Sequence, residues 1–177
     1  MLMTMPETLI DFDAAIAIVT RELYHDDNRH KDSLKRCAIK HERLDHVVFW
    51  DLITELDYGW VFPHADRAKL LDGEIVSGLG FGPIIVTRWG HSENIGGGSL
   101  SFEQRSRRIE RMHRPLVRGC KARKLLARMR GEPWPSYTES PLYQAKLEAY
   151  REYLIQVPEE ARDWIAQARS SSARGKS

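Results

Sequence analysis

The stretch His46-Val47-Val48-Phe49-Trp50-Asp51-Leu52-Ile53, with Tyr58-Gly59-Trp60-Val61-Phe62 after a polar break, decides the fold class. Both runs are dense in β-branched and aromatic residues, which suit a pleated, half-buried surface. A third run, Pro83-Ile84-Ile85-Val86-Thr87-Arg88-Trp89, is entered through Gly78-Leu79-Gly80-Phe81-Gly82, and Trp89-Gly90-His91-Ser92 reads as a hairpin turn into a last short strand. Cys37–Glu42 reads as a further short strand, with a helix as the other reading. Connections this short favour an antiparallel meander, because parallel strands need crossovers of about a dozen residues.

Working outward, the pattern changes to helical on both sides. Leu9, Phe12, Ile16, Val19 and Leu23 recur at spacings of three and four, predicting a helix over 11–24 with one apolar face. Asp11 and Asp13 favour its N-terminus. The polar run His25–Asp32 reads as the loop that ends it. After Gly96-Gly97-Gly98, Ser101 and Gln104 form a capping-box pattern opening a helix with Phe102, Ile109 and Met112 inward. Pro115 kinks or restarts that helix, and a basic helix runs on to Arg130 before Gly131. Pro133-Trp134-Pro135 reads as a stiff linker. Ser140-Pro141 caps a helix carrying Tyr143, Leu147, Tyr150, Leu154 and Val157, and Pro158-Glu159-Glu160 opens a final short helix with Trp164 and Ile165.

The expected fold is therefore α+β: an N-terminal helix packed on one face of an antiparallel meander of four to five strands, then a C-terminal helical extension. The expected division is 1–100 for the α+β part, 101–169 for the helical extension with its basic arm at 101–130, and a disordered tail at 170–177. The 177 residues can bury a stable core without disulfides or metals. No run approaches the ~20 apolar residues that cross a bilayer. Residues 1–10 lack a basic region and a cleavage site, and Cys37 and Cys120 form no close pair, so a cytoplasmic location with reduced thiols is expected.

Charge is segregated. The net charge is only +2, yet residues 101–130 hold 11 Lys and Arg against Glu103 and Glu110. Arg107, Arg111, Arg114, Arg118 and Lys121, at spacings of 4, 3, 4 and 3, form one basic stripe if the helix continues past Pro115. Arg105, Arg108, Arg123, Lys124, Arg128 and Arg130 thicken it. Three readings stay open: a solvated face balanced by acidic helices, a surface for an acidic protein, and a nucleic-acid surface over 105–130. Arginine forks suit phosphates, but no aromatic residue interleaves the stripe for base stacking. Its thin apolar face argues against a membrane role.

Catalytic and metal patterns find little purchase. His25 and His30, like His41 and His46, are five apart, which converges two imidazoles neither on a helix nor on a strand. The glycines at 78, 80 and 82 precede Pro83 and a strand, so they offer phosphate no helix N-terminus. Cys120 sits among Arg118, Lys121 and Arg123, which would depress a thiol pKa, but no His neighbours it and it shares an apolar stripe with Leu116. No enzyme activity, cofactor or metal is expected.

The run Tyr58-Gly59-Trp60-Val61-Phe62, a short variable segment, then Leu79-Gly80-Phe81-Gly82-Pro83-Ile84-Ile85-Val86-Thr87-Arg88 resembles the immunity protein 35 family of bacterial toxin-immunity proteins, over residues 10–112. Phe81 stands where that family has a polar residue. The resemblance implies a protein that binds and blocks a cognate toxin. It carries over no catalytic residue. Tyr58, Gly59, Trp60, Phe62, Gly80, Gly82 and Pro83 are then structural, with Gly59 allowing close backbone approach. The expected partner is a cognate toxin or other acidic protein, met by Arg107, Arg108, Arg111, Arg114, Arg118, Lys121, Arg123 and Lys124, with nucleic acid as the alternative.

Overall fold

The structure is a computed structural model that describes residues 8–36, 46–66, 83–94, 102–159, 162–163 and 165–166. It is mixed α and β with antiparallel sheets. Helix α1 (Phe12–Arg36) leads to strands β1 (His46–Val48), β2 (Thr54–Leu56), β3 (Gly59–Phe62), β4 (His64–Asp66), β5 (Ile84–Thr87) and β6 (Ser92–Asn94). Helices α2 (Phe102–Met112), α3 (Arg114–Arg130) and α4 (Pro141–Gln156) follow. Residues 159, 162, 163, 165 and 166 are also helical, where a final short helix is expected. Among the described residues no helix is long and apolar enough to cross a membrane.

Helix α1 begins as its sequence predicts. The Asp11 carboxylate accepts from the Ala14 amide at 2.8 Å, satisfying one of the donors a helix leaves open at its start. Phe12, Ala15, Ile16, Val19 and Leu23 are buried along one face. The expected loop at 25–32 is instead helix, which runs on to Arg36. Nothing between 25 and 36 is Gly or Pro, so the backbone is free to continue after the apolar face has ended.

The four-stranded sheet has the order β2-β3-β5-β6, every pairing antiparallel, as a meander requires. The strand expected over 46–53 is split. Trp50–Leu52 form a 3-10 turn between β1 and β2, and β1 pairs with β4 as a separate two-stranded ladder. Pro63, between β3 and β4, has no amide hydrogen to give; its carbonyl accepts from the Phe49 amide at 2.9 Å. The long hairpin therefore bends at one place on both strands. The hairpin turn expected at Trp89–Ser92 lies slightly earlier, at 88–90: the Gly90 amide donates to the Thr87 carbonyl at 2.9 Å, and Gly90 takes a φ of 82°. A tight turn followed by a left-handed residue is a common three-residue hairpin loop, and Gly is the residue that adopts it without strain. The short strand expected at Cys37–Glu42, the glycines 78, 80 and 82, Ser101, the Phe102 side chain, Trp164 and the tail from 170 lie outside the described part.

The sheet is covered on both faces. Trp60, Phe62, Ile84 and Val86 pack with the apolar face of α1 and with Tyr143, Leu147 and Tyr150 of α4, together with Ile165. Tyr58, Val61 and Ile85 point the other way, against Ile109 of α2 and Val117 and Cys120 of α3. Leu9, expected on the α1 face, joins this second cluster. All four residues of β3 and of β5 are accordingly buried, with no polar alternation. Gly59 explains how closely the two strands approach: a Cβ there would lie 2.2 Å from the Val86 carbonyl oxygen.

Candidate partner-binding surface

Pro115 determines the shape of the basic arm. A proline inside a helix removes one hydrogen bond and its ring crowds the preceding turn, so the helix kinks rather than runs straight. The break falls at His113, whose φ and ψ of −110° and 28° are not helical. Helical bonding nearly survives it: the His113 amide donates to the Ile109 carbonyl at 2.9 Å and the Val117 amide to the His113 carbonyl at 3.0 Å. Because the interruption is so short, the stripe keeps its phase across it. Arg107, Arg111, Arg114, Arg118 and Lys121 line one open groove of about 500 Å³ with Glu110 and Val117.

Five of the eight cations expected to meet a partner are thus brought together, and three are not. Arg108 is exposed outside the groove lining. Lys124 turns toward the sheet, donating to Asp57 at 2.8 Å. Arg123 is half-buried. Within the groove, Arg107 is tied to Glu103 one turn earlier at 2.5 Å, an exposed pair that competes weakly with any acidic ligand. Five cations around one internal carboxylate leave the groove strongly positive. Met112, expected inward, is instead 59% exposed. Ile109 is the fully buried residue described in α2, helped by a 2.7 Å hydrogen bond between Ser106 Oγ and the Tyr58 hydroxyl. Burial pushes that Tyr58 phenol up from its usual pKa.

A second polar constellation escaped the sequence reading. Arg88 follows Ile84 and Val86 in strand phase, so its side chain enters the α1–α4 face and is only 3% exposed. Its guanidinium lies 4.4 Å from the Trp60 ring centre and 4.8 Å from that of Trp134, and it donates to Glu55 at 2.5 Å. The alternation Ile84, Val86, Arg88 was the available signal. Burial pulls the Arg88 guanidinium down and pushes the Glu55 carboxyl up, each opposed by the attraction of the other. Desolvation is the larger cause for both, and the guanidinium is stacked against two indole rings as well as paired with the carboxylate. Arg88, Trp60 and Trp134 border a cavity of about 290 Å³ whose rim carries Asp11 and Asp13. Those carboxylates are already engaged: Asp11 caps α1, and Asp13 accepts from the Ser140 hydroxyl at 2.5 Å. Ser140 in turn caps α4 by accepting from the Tyr143 amide at 3.0 Å. The cavity therefore lies within a structural joint between α1, α4 and the Trp134 segment.

Histidine pairs form between elements, not at the spacings seen in sequence. His91 and His113 have ring centres 4.9 Å apart, and His46 and His64 lie 5.2 Å apart across β1 and β4. Among the described residues no three His, Cys, Asp or Glu side chains are grouped to hold a metal ion. Cys120 is fully buried between α3 and the sheet; burial pushes its thiol up despite Arg88 and Arg123 nearby. Such a thiol stays protonated and packs as a small apolar group. Of the residues carrying the family resemblance, Tyr58, Gly59, Trp60 and Phe62 are buried in the sheet and Pro83 leads into β5.

No family model, no curated protein and no solved structure matches the chain. These comparisons give the expected resemblance to the immunity protein 35 family no support.

Proposed function

We propose that the chain is a non-catalytic binding protein that holds an acidic protein partner in the groove between α2 and α3. The observation that carries this reading is the convergence of Arg107, Arg111, Arg114, Arg118 and Lys121 on one concave surface with a single acid, Glu110. A pocket lined by one sign of charge concentrates and orients partners of the other sign. The resemblance in the central strands supports a bacterial toxin as that partner, blocked by occlusion in the cytoplasm.

Nucleic acid is the second reading, favoured by the arginine content of the same groove. The two separate on salt dependence. Five phosphate contacts would give a log–log salt slope of roughly −4 to −5 on duplex DNA. The deciding experiment compares the full chain with an Arg111→Glu/Arg114→Glu/Arg118→Glu variant, first against the product of the neighbouring reading frame by co-expression and calorimetry. The expected result is a complex that loses affinity roughly 100-fold in the variant. Absence of any complex, together with 20-base-pair duplex binding at the slope above, would replace the protein reading with the nucleic-acid one.

A further inference from the structure

The stripe does not stop where its charge does. Beyond Arg114, Arg118 and Lys121, the same helical face of α3 continues through Leu125 and Met129 at spacings of four and four, with Ala122 and Leu126 beside them. Leu125 is 58%, Leu126 48% and Met129 74% exposed. The side of α3 that packs carries Leu116, Val117 and Cys120, with Val117 at the edge of the stripe. The helix thus presents outward a basic half followed by an apolar half, and Arg128 keeps a positive edge along the apolar part. Phosphate backbones have no use for three exposed aliphatic side chains, whereas interface centres bury them.

From this continuity and charge we infer that the partner docks on α3 as an acidic amphipathic helix, its apolar edge on Leu125, Leu126 and Met129 and its carboxylates on Arg111, Arg114, Arg118 and Lys121. The inference rests on the protein-binding reading above and specifies the partner's docking element. Helix-on-helix recognition of this kind is read through residues spaced three and four apart. A second copy of the chain is a poorer occupant. Its matching edge would be Ile155 of α4, 77% exposed and flanked by Glu148 and Glu152. Yet α3 and α4 cover opposite faces of the sheet, so that contact would repeat head to tail into open chains rather than close into a dimer.

The test uses the full chain and three synthetic peptides of about 18 residues, long enough for five helical turns. One carries a leucine stripe at one end and glutamates on the rest of the same face. One has the same composition with the leucines scattered round the helix, and one replaces leucine by alanine. The patterned peptide is expected to bind roughly tenfold or more tighter than either control. Leu125→Ser/Met129→Ser should remove that advantage while leaving the alanine peptide's affinity unchanged; Arg114→Gln/Arg118→Gln should weaken all three. Both pairs lie on exposed positions, and circular dichroism checks that each variant is folded. Equal affinity for patterned and scattered peptides would overturn the inference and leave the acidic-partner reading standing. Preference for a 20-base-pair duplex, or for phosphatidylglycerol vesicles, over every peptide would overturn both. Self-association abolished by Leu125→Ser/Met129→Ser would assign the face to a second copy instead.

Discussion

Gly59→Ala should be strongly destabilising for a change of one methyl group, and its size follows from the strand geometry. The added Cβ would sit 2.2 Å from the Val86 oxygen, 2.8 Å from the Thr87 Cα and 3.0 Å from the Val86 carbonyl carbon. Ordinary contact begins near 3.4 Å, so the closest approach is about 1.2 Å short. All three obstacles are backbone, and none can rotate away as a side chain would. Relief requires β3 and β5 to part at the Gly59–Thr87 end, which stretches the adjacent bond from the Arg88 amide to the Tyr58 carbonyl at 2.8 Å. Losing one or two ladder bonds at about 1 kcal/mol each, plus about 1–3 kcal/mol of overpacking, gives a cost of about 2–5 kcal/mol. For a total stability of about 5–15 kcal/mol, that lowers the melting temperature by roughly 10 °C or unfolds the chain. Urea titration followed by tryptophan fluorescence measures it, since Trp60 is in the affected strand. The internal control is Gly131→Ala. Gly131 has a φ of 68° but nothing within 4 Å of its missing Cβ, so the cost there is conformational only, about 1–2 kcal/mol. A Gly59→Ala variant no less stable than Gly131→Ala would refute the close-approach argument.

Other substitutions test the Arg88–Glu55 pair, the helix junction and the surface. Glu55→Gln should cost about 3 kcal/mol by leaving the buried Arg88 charge uncompensated, while the double change with Arg88→Met recovers part of that loss; equal unfolding midpoints for wild type and Glu55→Gln would count against the pair. Burial, with a smaller push from His91, holds His113 below the usual imidazole range against the pull of Glu93. Its contribution to stability is thus present above about pH 6.5 and lost as pH falls through the lower folded value, so urea midpoints should drop on acidification more in wild type than in His113→Gln. An identical pH slope in the two proteins would contradict this. Lys124→Ala should change stability by less than about 1 kcal/mol, since its bond to Asp57 joins side chains 42% and 44% exposed, and a larger loss by thermal denaturation would show the pair to be less solvent-screened than its exposure implies.

What the sequence by itself determined is whatever depends on neighbours along the chain. The Asp11 cap and the Phe12-Ile16-Val19-Leu23 face of α1, the Ser140 cap of α4, the turn at Gly90 and the strands at 59–62 and 84–87 all announce themselves through local spacing and backbone preference. The basic stripe is legible for the same reason, because helical phase alone aligns Arg107, Arg111, Arg114, Arg118 and Lys121. The end of α1 is not legible in the polar run at 25–32, since polarity marks where burial stops, not where a backbone without Gly or Pro must unwind. The split at Trp50–Leu52 was invisible because its partner, Pro63, lies across the hairpin. Only the tertiary structure decided which charges are engaged, as with Lys124 on Asp57 and Arg88 between Trp60 and Trp134. It alone placed helices on both sheet faces, and it left Leu125 and Met129 of α3 facing outward. Those outcomes depend on which distant surfaces meet, and a one-dimensional pattern records that a residue is apolar or charged without recording what will cover it.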